Sequence, residues 1–132
     1  MLGELIIENA GKRILRRMLG TSPPTVEVSF EETGKVLGIA SSGFGTYTSV
    51  IRPDGSVFGE GHGILTTGDG EGALWKGSGQ GKFGAGGSIS YRGILYFQTT
   101  SQKLARLNGA PGVFEYEVDA EGKTRTKVWE WK

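Results

Sequence analysis

The chain has 132 residues, the length of one ordinary domain, and its 15 basic and 14 acidic residues give a formal net charge of +1. Such a balance creates no overall attraction to nucleic acid or to an anionic membrane, so neither is expected as a partner. The absence of cysteine excludes disulfides, thiolate nucleophiles and cysteine-ligated metals. We expect one domain over residues 1–132, no cofactor, no metal, and a cytoplasmic location, because acidic residues stand where a signal peptide needs positive charge.

Glycine is the outlier in the composition, at 24 of 132 residues, against a usual share of roughly 7%. The glycines lie among Trp, Tyr and Phe, and not among the Ser, Pro and Lys typical of flexible linkers, which favours a folded chain over disorder. Two runs, "GEGHG" at 59–63 and "GSGQG" at 77–81, place glycine at every second position. That spacing is the period of a β-strand.

In chain order, residues 11–19 have apolar pairs at helical spacing, but glycines bracket them; we favour a strand and keep a helix as the alternative. "TVEVSFEE" alternates as a half-buried strand does, with Val26, Val28 and Phe30 on one face. "KVLGIAS" and "GTYTSVI" continue the extended pattern up to Asp54 and Gly55, a strong hairpin signal.

The second half of the chain repeats this pattern of strands and turns. "SVFGEGHGILTT" and "EGALWKGSGQGKF" flank a tight turn at 68–70, and "SISYRGILYFQTT" is rich in residues that favour strands. "SQKLARL" fits a single helical turn or a bent connector, and "VFEYEVD" and "TRTKVWEWK" flank a turn at 120–122. About eight such strands predict an all-β, antiparallel β-barrel or a sandwich, and closure into a barrel is favoured because it removes exposed sheet edges.

The glycine runs can be placed on one hairpin. With 68–70 as the loop, Gly61 lies opposite Gly77 and Gly59 opposite Gly79, which leaves a bare patch on one face. A two-residue turn at Asp54 and Gly55 would add the following residues to that face: Thr46, Thr48 and Val50. The same register puts these side chains on the opposite face: Tyr47, Phe58, Glu60, His62, Lys76, Ser78 and Gln80.

Three interpretations of the bare patch remain open. Glycines let strands coil sharply at barrel corners, and aromatic rings from other strands then cover the gap. Alternatively, the missing side chains leave a cavity for a small, mostly apolar molecule, or a second subunit covers the patch.

The chemical motifs are weak. Residues 79–84, "GQGKFG", match the dinucleotide-binding pattern in letters, but a strand follows where a helix is needed. The single histidine, His62, points the same way as Glu60 on a strand, which suits either a base with its orienting carboxylate or a solvated polar face. Arg92 is a candidate anchor for an anionic group. No catalytic residue is assigned, and the candidate ligand-binding residues are Tyr47, Glu60, His62, Trp75, Arg92, Tyr96 and Gln98.

A family resemblance rests on "YRGILYFQTTS", "KLARLNGAPGVFEYEVDAEG" and "VWEWK", the last third of the chain. This part resembles small barrel proteins of the allene-oxide-cyclase-like group, in which a Leu-x-x-Leu-x-Gly-x-x-Gly turn precedes the last two strands. The resemblance implies a barrel of about eight strands with a central cavity, often in a homo-oligomer. Relatives with known activity hold a reactive apolar molecule in one folded conformation for cyclisation. No active-site motif of that group aligns with this chain.

Taken together, the sequence predicts a barrel that binds a small, largely apolar molecule in its interior. A cyclase or isomerase of the allene-oxide-cyclase-like type is the enzymatic alternative. A ligand-free oligomeric interaction module is the third.

Overall fold

The computed structural model describes residues 1–132 as one closed antiparallel barrel in which each strand pairs with the next and β8 pairs with β1. The predicted all-β barrel of eight strands is therefore confirmed, and residues 11–19 belong to a strand. The strands are β1 (Leu2–Thr21), β2 (Pro24–Val36), β3 (Ile39–Ile51), β4 (Ser56–Thr67), β5 (Gly72–Phe83), β6 (Ile89–Gln98), β7 (Gly112–Val118) and β8 (Lys123–Trp131). Two short 3-10 helices, Ala85–Gly87 and Ala105–Gly109, are the only helical elements, and neither is long enough to cross a membrane.

Three hairpin loops share one geometry. In the β3–β4, β4–β5 and β7–β8 loops, three residues connect the strands, and the third is a glycine with φ of 86–87°. A type I turn followed by a left-handed glycine gives this loop, whose twist matches that of the strands it joins. The predicted loop at 68–70 is confirmed, and with it the pairing of Gly61 with Gly77 and of Gly59 with Gly79.

The two-residue turn predicted at Asp54 and Gly55 is wrong. Arg52 and Ser56 close the β3–β4 loop instead, through a hydrogen bond of 2.8 Å from the Arg52 amide to the Ser56 carbonyl. One extra loop residue shifts the register of β3 by one position, and such a shift exchanges the two faces of the strand. Tyr47 therefore lies opposite Gly61, on the face of the glycine patch and inside the barrel, and the residues predicted for that face point outward: Thr46, Thr48 and Val50.

One end of the barrel is closed by the connection between β6 and β7. Leu104 and Leu107 of this connection are fully or almost fully buried and pack on residues of the barrel wall, among them Ile7 and Val128. Around them, Arg106 donates two hydrogen bonds of 3.0 Å to Glu130. The connection, which contains the predicted helical turn, thus fills this end of the barrel with apolar side chains and is held to β8 by the Arg106–Glu130 pair. We call this end of the barrel the plugged end.

The opposite end carries Arg13. Its partner across the β1–β2 ladder is Phe30, so its side chain belongs to the inner face, and its guanidinium lies against Gly122 of the β7–β8 loop. Beyond Arg13, β1 pairs with β2 alone, because β8 begins at Lys123 opposite Lys12.

Truncating the plug tests its contribution to stability. Leu104→Ala is expected to lower the free energy of unfolding by about 2–5 kcal/mol, because it leaves a cavity among packed aliphatic side chains. Leu15→Ala, on an exposed side chain of β1, is the matched control and is expected to change it by less than about 0.5 kcal/mol. Urea unfolding of both variants measures the difference; equal losses would contradict a plug that stabilises the barrel.

Candidate functional site

The barrel interior contains a cavity of about 100 Å³, between the plugged end and a cluster of tyrosines. Most of its wall is apolar or glycine. The inner-face residues that line it are Ile7, Asn9, Phe30, Glu32, Gly43, Tyr47, Gly59, Gly61, Leu65, Trp75, Gly77, Gly79, Tyr91, Leu95, Phe97, Phe114, Tyr116, Thr126 and Val128. The volume is large enough for several water molecules or for one compact organic group.

Aromatic rings cover part of the glycine patch. A β-carbon built at Gly59 would lie 3.2 Å from Tyr91 Cε1, and one at Gly79 would lie 2.8 Å from Phe114 Cζ. All four glycines of the patch nevertheless border the cavity. Two of the interpretations of the glycine patch therefore hold together: rings cover part of the patch, and the rest of it borders the cavity.

A cluster of rings forms the wall next to the glycines. Phe30, Tyr47, Trp75, Tyr91 and Tyr116 have neighbouring ring centroids 5.3–6.1 Å apart in tilted or edge-to-face geometry, which the ring quadrupoles favour. The Tyr47 and Tyr116 hydroxyls are hydrogen-bonded at 3.3 Å, and the Tyr91 hydroxyl is bonded to Ser49 at 2.7 Å. Burial raises the pKa of all three tyrosines above their ordinary value of 10, so the hydroxyls are neutral at physiological pH.

A polar group of side chains lies on β8, β1 and β2, next to the ring cluster, since Tyr116 pairs with Thr126 across the β7–β8 ladder. Glu32 of β2 is buried and accepts hydrogen bonds from Thr124 at 2.7 Å and from Thr126 at 2.8 Å. Burial raises the pKa of the Glu32 carboxyl, although both threonine hydrogen bonds act in the opposite direction. Asn9 of β1, which pairs with Thr126, has a buried Oδ1 atom without a hydrogen-bond partner.

The seven candidate residues from the sequence divide between the two faces of the barrel. Tyr47 and Trp75 line the cavity, as inner-face residues. Glu60 borders the cavity, but strand alternation places its side chain on the outer face, where it is exposed. The other four are exposed on the outer face: His62, Arg92, Tyr96 and Gln98. That Tyr47 and Trp75 contact a ligand stays a prediction.

The residues considered for chemical roles have their side chains on the outer face of the barrel. His62 and Glu60 face solvent, so they do not form a base and carboxylate inside the cavity. Arg92 is engaged on the surface with Glu115 at 3.6 Å and with Glu117 at 3.0 Å. The Arg92 guanidinium therefore belongs to a network of ion pairs on the surface and does not point into the cavity.

The sequence analysis missed the polar side chains of the interior. One of them carried a readable signal: Glu32 follows Val28 and Phe30 at the same two-residue period, so the alternation of β2 already places it on the inner face. Tyr116 likewise alternates with Phe114 and Val118. Asn9 carried no such signal, because the bulges of β1 interrupt its alternation.

The fold and this cavity define a closed, eight-stranded β-barrel with a largely apolar interior. The chain matches no family model and no curated protein. Its fold is similar to that of a conserved protein of unknown function from Rhodopseudomonas palustris, with a TM-score of 0.80 at 15% identity over 96% of this chain and 95% of that one. It is also similar to a protein of unknown function from Clostridium acetobutylicum, with a TM-score of 0.79 at 14% identity over 98% of each chain.

These similarities show the fold alone. Neither of the two solved proteins is described as a member of the allene-oxide-cyclase-like group, so that resemblance stays a prediction, as does the homo-oligomer that it implies.

Filling the glycine patch is expected to destabilise the barrel. Gly79→Ala would bring a β-carbon within 2.8 Å of both the Phe114 ring and the Arg92 carbonyl oxygen, and the overpacking is expected to cost about 1–3 kcal/mol in urea unfolding. Gly68→Ala is the control, because nothing lies within 4 Å of its β-carbon. A neutral Gly79→Ala variant would show that the wall is not closely packed.

Glu32 gives stability a distinctive pH dependence. Its raised pKa means that the folded state holds the proton at pH values where the unfolded chain has released it, so stability falls as pH rises from about 4.5 through the folded-state pKa. Glu32→Gln does not titrate and is expected to gain on the wild type over this range in urea unfolding. Glu31→Gln, at an exposed position of β2, is the control and should keep the wild-type dependence of stability on pH. If Glu32→Gln also kept that dependence, the Glu32 carboxyl would have to be well solvated.

Proposed function

We propose that the barrel binds a compact, largely apolar molecule in its interior cavity. The observation that carries the proposal is an interior cavity walled mainly by aliphatic side chains, aromatic side chains and glycines, with a few polar groups, among them Asn9, Glu32 and Thr126. Binding sites for small molecules have this composition: the apolar wall provides most of the affinity, and a few polar groups fix the orientation.

The volume limits the ligand. A protein cavity of about 150 Å³ holds one benzene molecule, whereas sites for drug-sized ligands measure about 300–1,000 Å³. A cavity of about 100 Å³ therefore suits a single small ring or a branched group of a few carbon atoms. It does not suit a long hydrocarbon chain.

Binding is favoured over the cyclase alternative for two reasons. Folding a flexible apolar substrate for cyclisation requires more space than this cavity provides. The acid–base pair that the sequence offered, Glu60 and His62, has its side chains on the outer face. The observation that bears on the ligand-free interaction module is a group of exposed apolar side chains on β1: Ile14, Leu15, Met18 and Leu19.

The proposal is tested by blocking the cavity with a larger side chain. Leu95→Phe adds volume to an inner-face position, and Leu74→Phe makes the same change at an exposed position of β5. In ligand-observed NMR with a set of compact ring and branched molecules, we expect at least one to bind the wild type and Leu74→Phe. Its affinity for Leu95→Phe should fall by about tenfold or more, since it shares the space with the new ring.

Two results would contradict the proposal. One is that no compact molecule binds the wild type. The other is that Leu74→Phe and Leu95→Phe weaken binding equally, which would place the site outside the barrel. The circular dichroism spectrum of Leu95→Phe must match that of the wild type for the comparison to hold.

A further inference from the structure

The charges around the cavity are of one sign. Glu32 is the one inner-face carboxylate that borders it, Glu60 has its side chain on the outer face, and no lysine, arginine or histidine borders it. Arg13 is the inner-face cation next to the tyrosine cluster. It lies against Gly122, at the end of the barrel opposite the plug, and does not border the cavity. No positive charge therefore borders the cavity to balance Glu32.

Glu32 offers acceptor positions that the protein leaves without a partner. An ionised carboxylate has about four acceptor positions, and Glu32 receives hydrogen bonds from only two hydroxyls, those of Thr124 and Thr126. The Oδ1 atom of Asn9 is a second acceptor, buried and without a partner. A group that donates several hydrogen bonds is complementary to both residues.

The remaining wall suits the same kind of group. Five aromatic rings line the cavity beside Glu32: Phe30, Tyr47, Trp75, Tyr91 and Tyr116. Aromatic rings attract cations through their quadrupoles and contact alkyl groups well, and a box of rings is the usual site for organic ammonium ions in proteins. An anionic ligand, in contrast, would meet a carboxylate and no donor of matching charge.

We propose that the ligand of this barrel is a small organic cation, an alkylammonium ion whose N–H groups bond Glu32 and Asn9 and whose alkyl group packs on the aromatic rings. This inference rests on the proposed binding function and names the chemical class of its ligand. Because folding already removes Glu32 from water, ligand binding does not dehydrate this carboxylate again. Only the ligand loses its hydration when it enters the cavity. Because burial disfavours the charged form of Glu32, that carboxylate gains from a cationic neighbour.

Three probes of nearly equal shape separate charge from size. They are tert-butylammonium chloride, tert-butanol and sodium pivalate, which share a tert-butyl group and carry a positive, neutral and negative polar group. Dissociation constants are measured by NMR titration of the wild-type chain at neutral pH. The variant is Glu32→Gln, which keeps the shape of the side chain, and the control is Glu60→Gln, which removes the exposed carboxylate bordering the cavity.

The proposal expects tert-butylammonium to bind the wild type at least tenfold more tightly than either other probe. Glu32→Gln should reduce this preference to within about threefold, and Glu60→Gln should leave it unchanged within the same margin. A preference for tert-butanol or pivalate, or equal binding of all three, overturns the cationic ligand while the binding function stands. A preference that survives in Glu32→Gln also overturns it. Failure of all three probes to bind overturns both the cationic ligand and a binding function for molecules of this size.

Discussion

Close contact between aromatic rings and glycine backbone determines the interior of this barrel. Strands β3, β4 and β5 place eight glycines at inner positions, and aromatic rings lie directly against five of them: Gly45, Gly59, Gly63, Gly79 and Gly81. Trp75 shows how tight this contact is, since a β-carbon at Gly63 would lie 2.4 Å from its Cζ2 atom. A wall of ordinary side chains would keep these rings from the backbone, so the ring cluster, the cavity beside it and the position of the polar side chains all depend on the missing β-carbons.

The interior is graded along the barrel axis. At the plugged end, Leu104 and Leu107 pack in a core of mostly aliphatic side chains. Toward the other end, hydroxyl groups, Asn9 and Glu32 appear, although burying such groups costs free energy unless they find partners. Glu32 finds partial compensation in two threonines, and Asn9 Oδ1 finds none. Stability alone would favour an aliphatic filling throughout, and this departure from it marks the middle of the barrel as the site of interest.

The sequence predicted the fold because the relevant signals are local. Alternation identified the strands, and the loop at 68–70 sets the pairing of Gly61 with Gly77 by itself. The face occupied by Tyr47 was not predicted, because it depends on whether two or three residues form the β3–β4 loop, and "PDG" fits both lengths. The hydrogen-bond partners of Glu32 were not predicted either, since Thr124 and Thr126 lie on β8, which only barrel closure brings next to β1.

The β3–β4 loop has a consequence for how such barrels change over evolutionary time. Because its three residues fix the register of β3, a single deletion there would move Tyr47 and Ser49 to solvent and turn Thr46 and Thr48 inward, without altering any residue of the strand. The length of a loop at the rim of the barrel thus determines which side chains of the strand line the interior. Two barrels with the same strand sequences and loops of different length would enclose chemically different spaces.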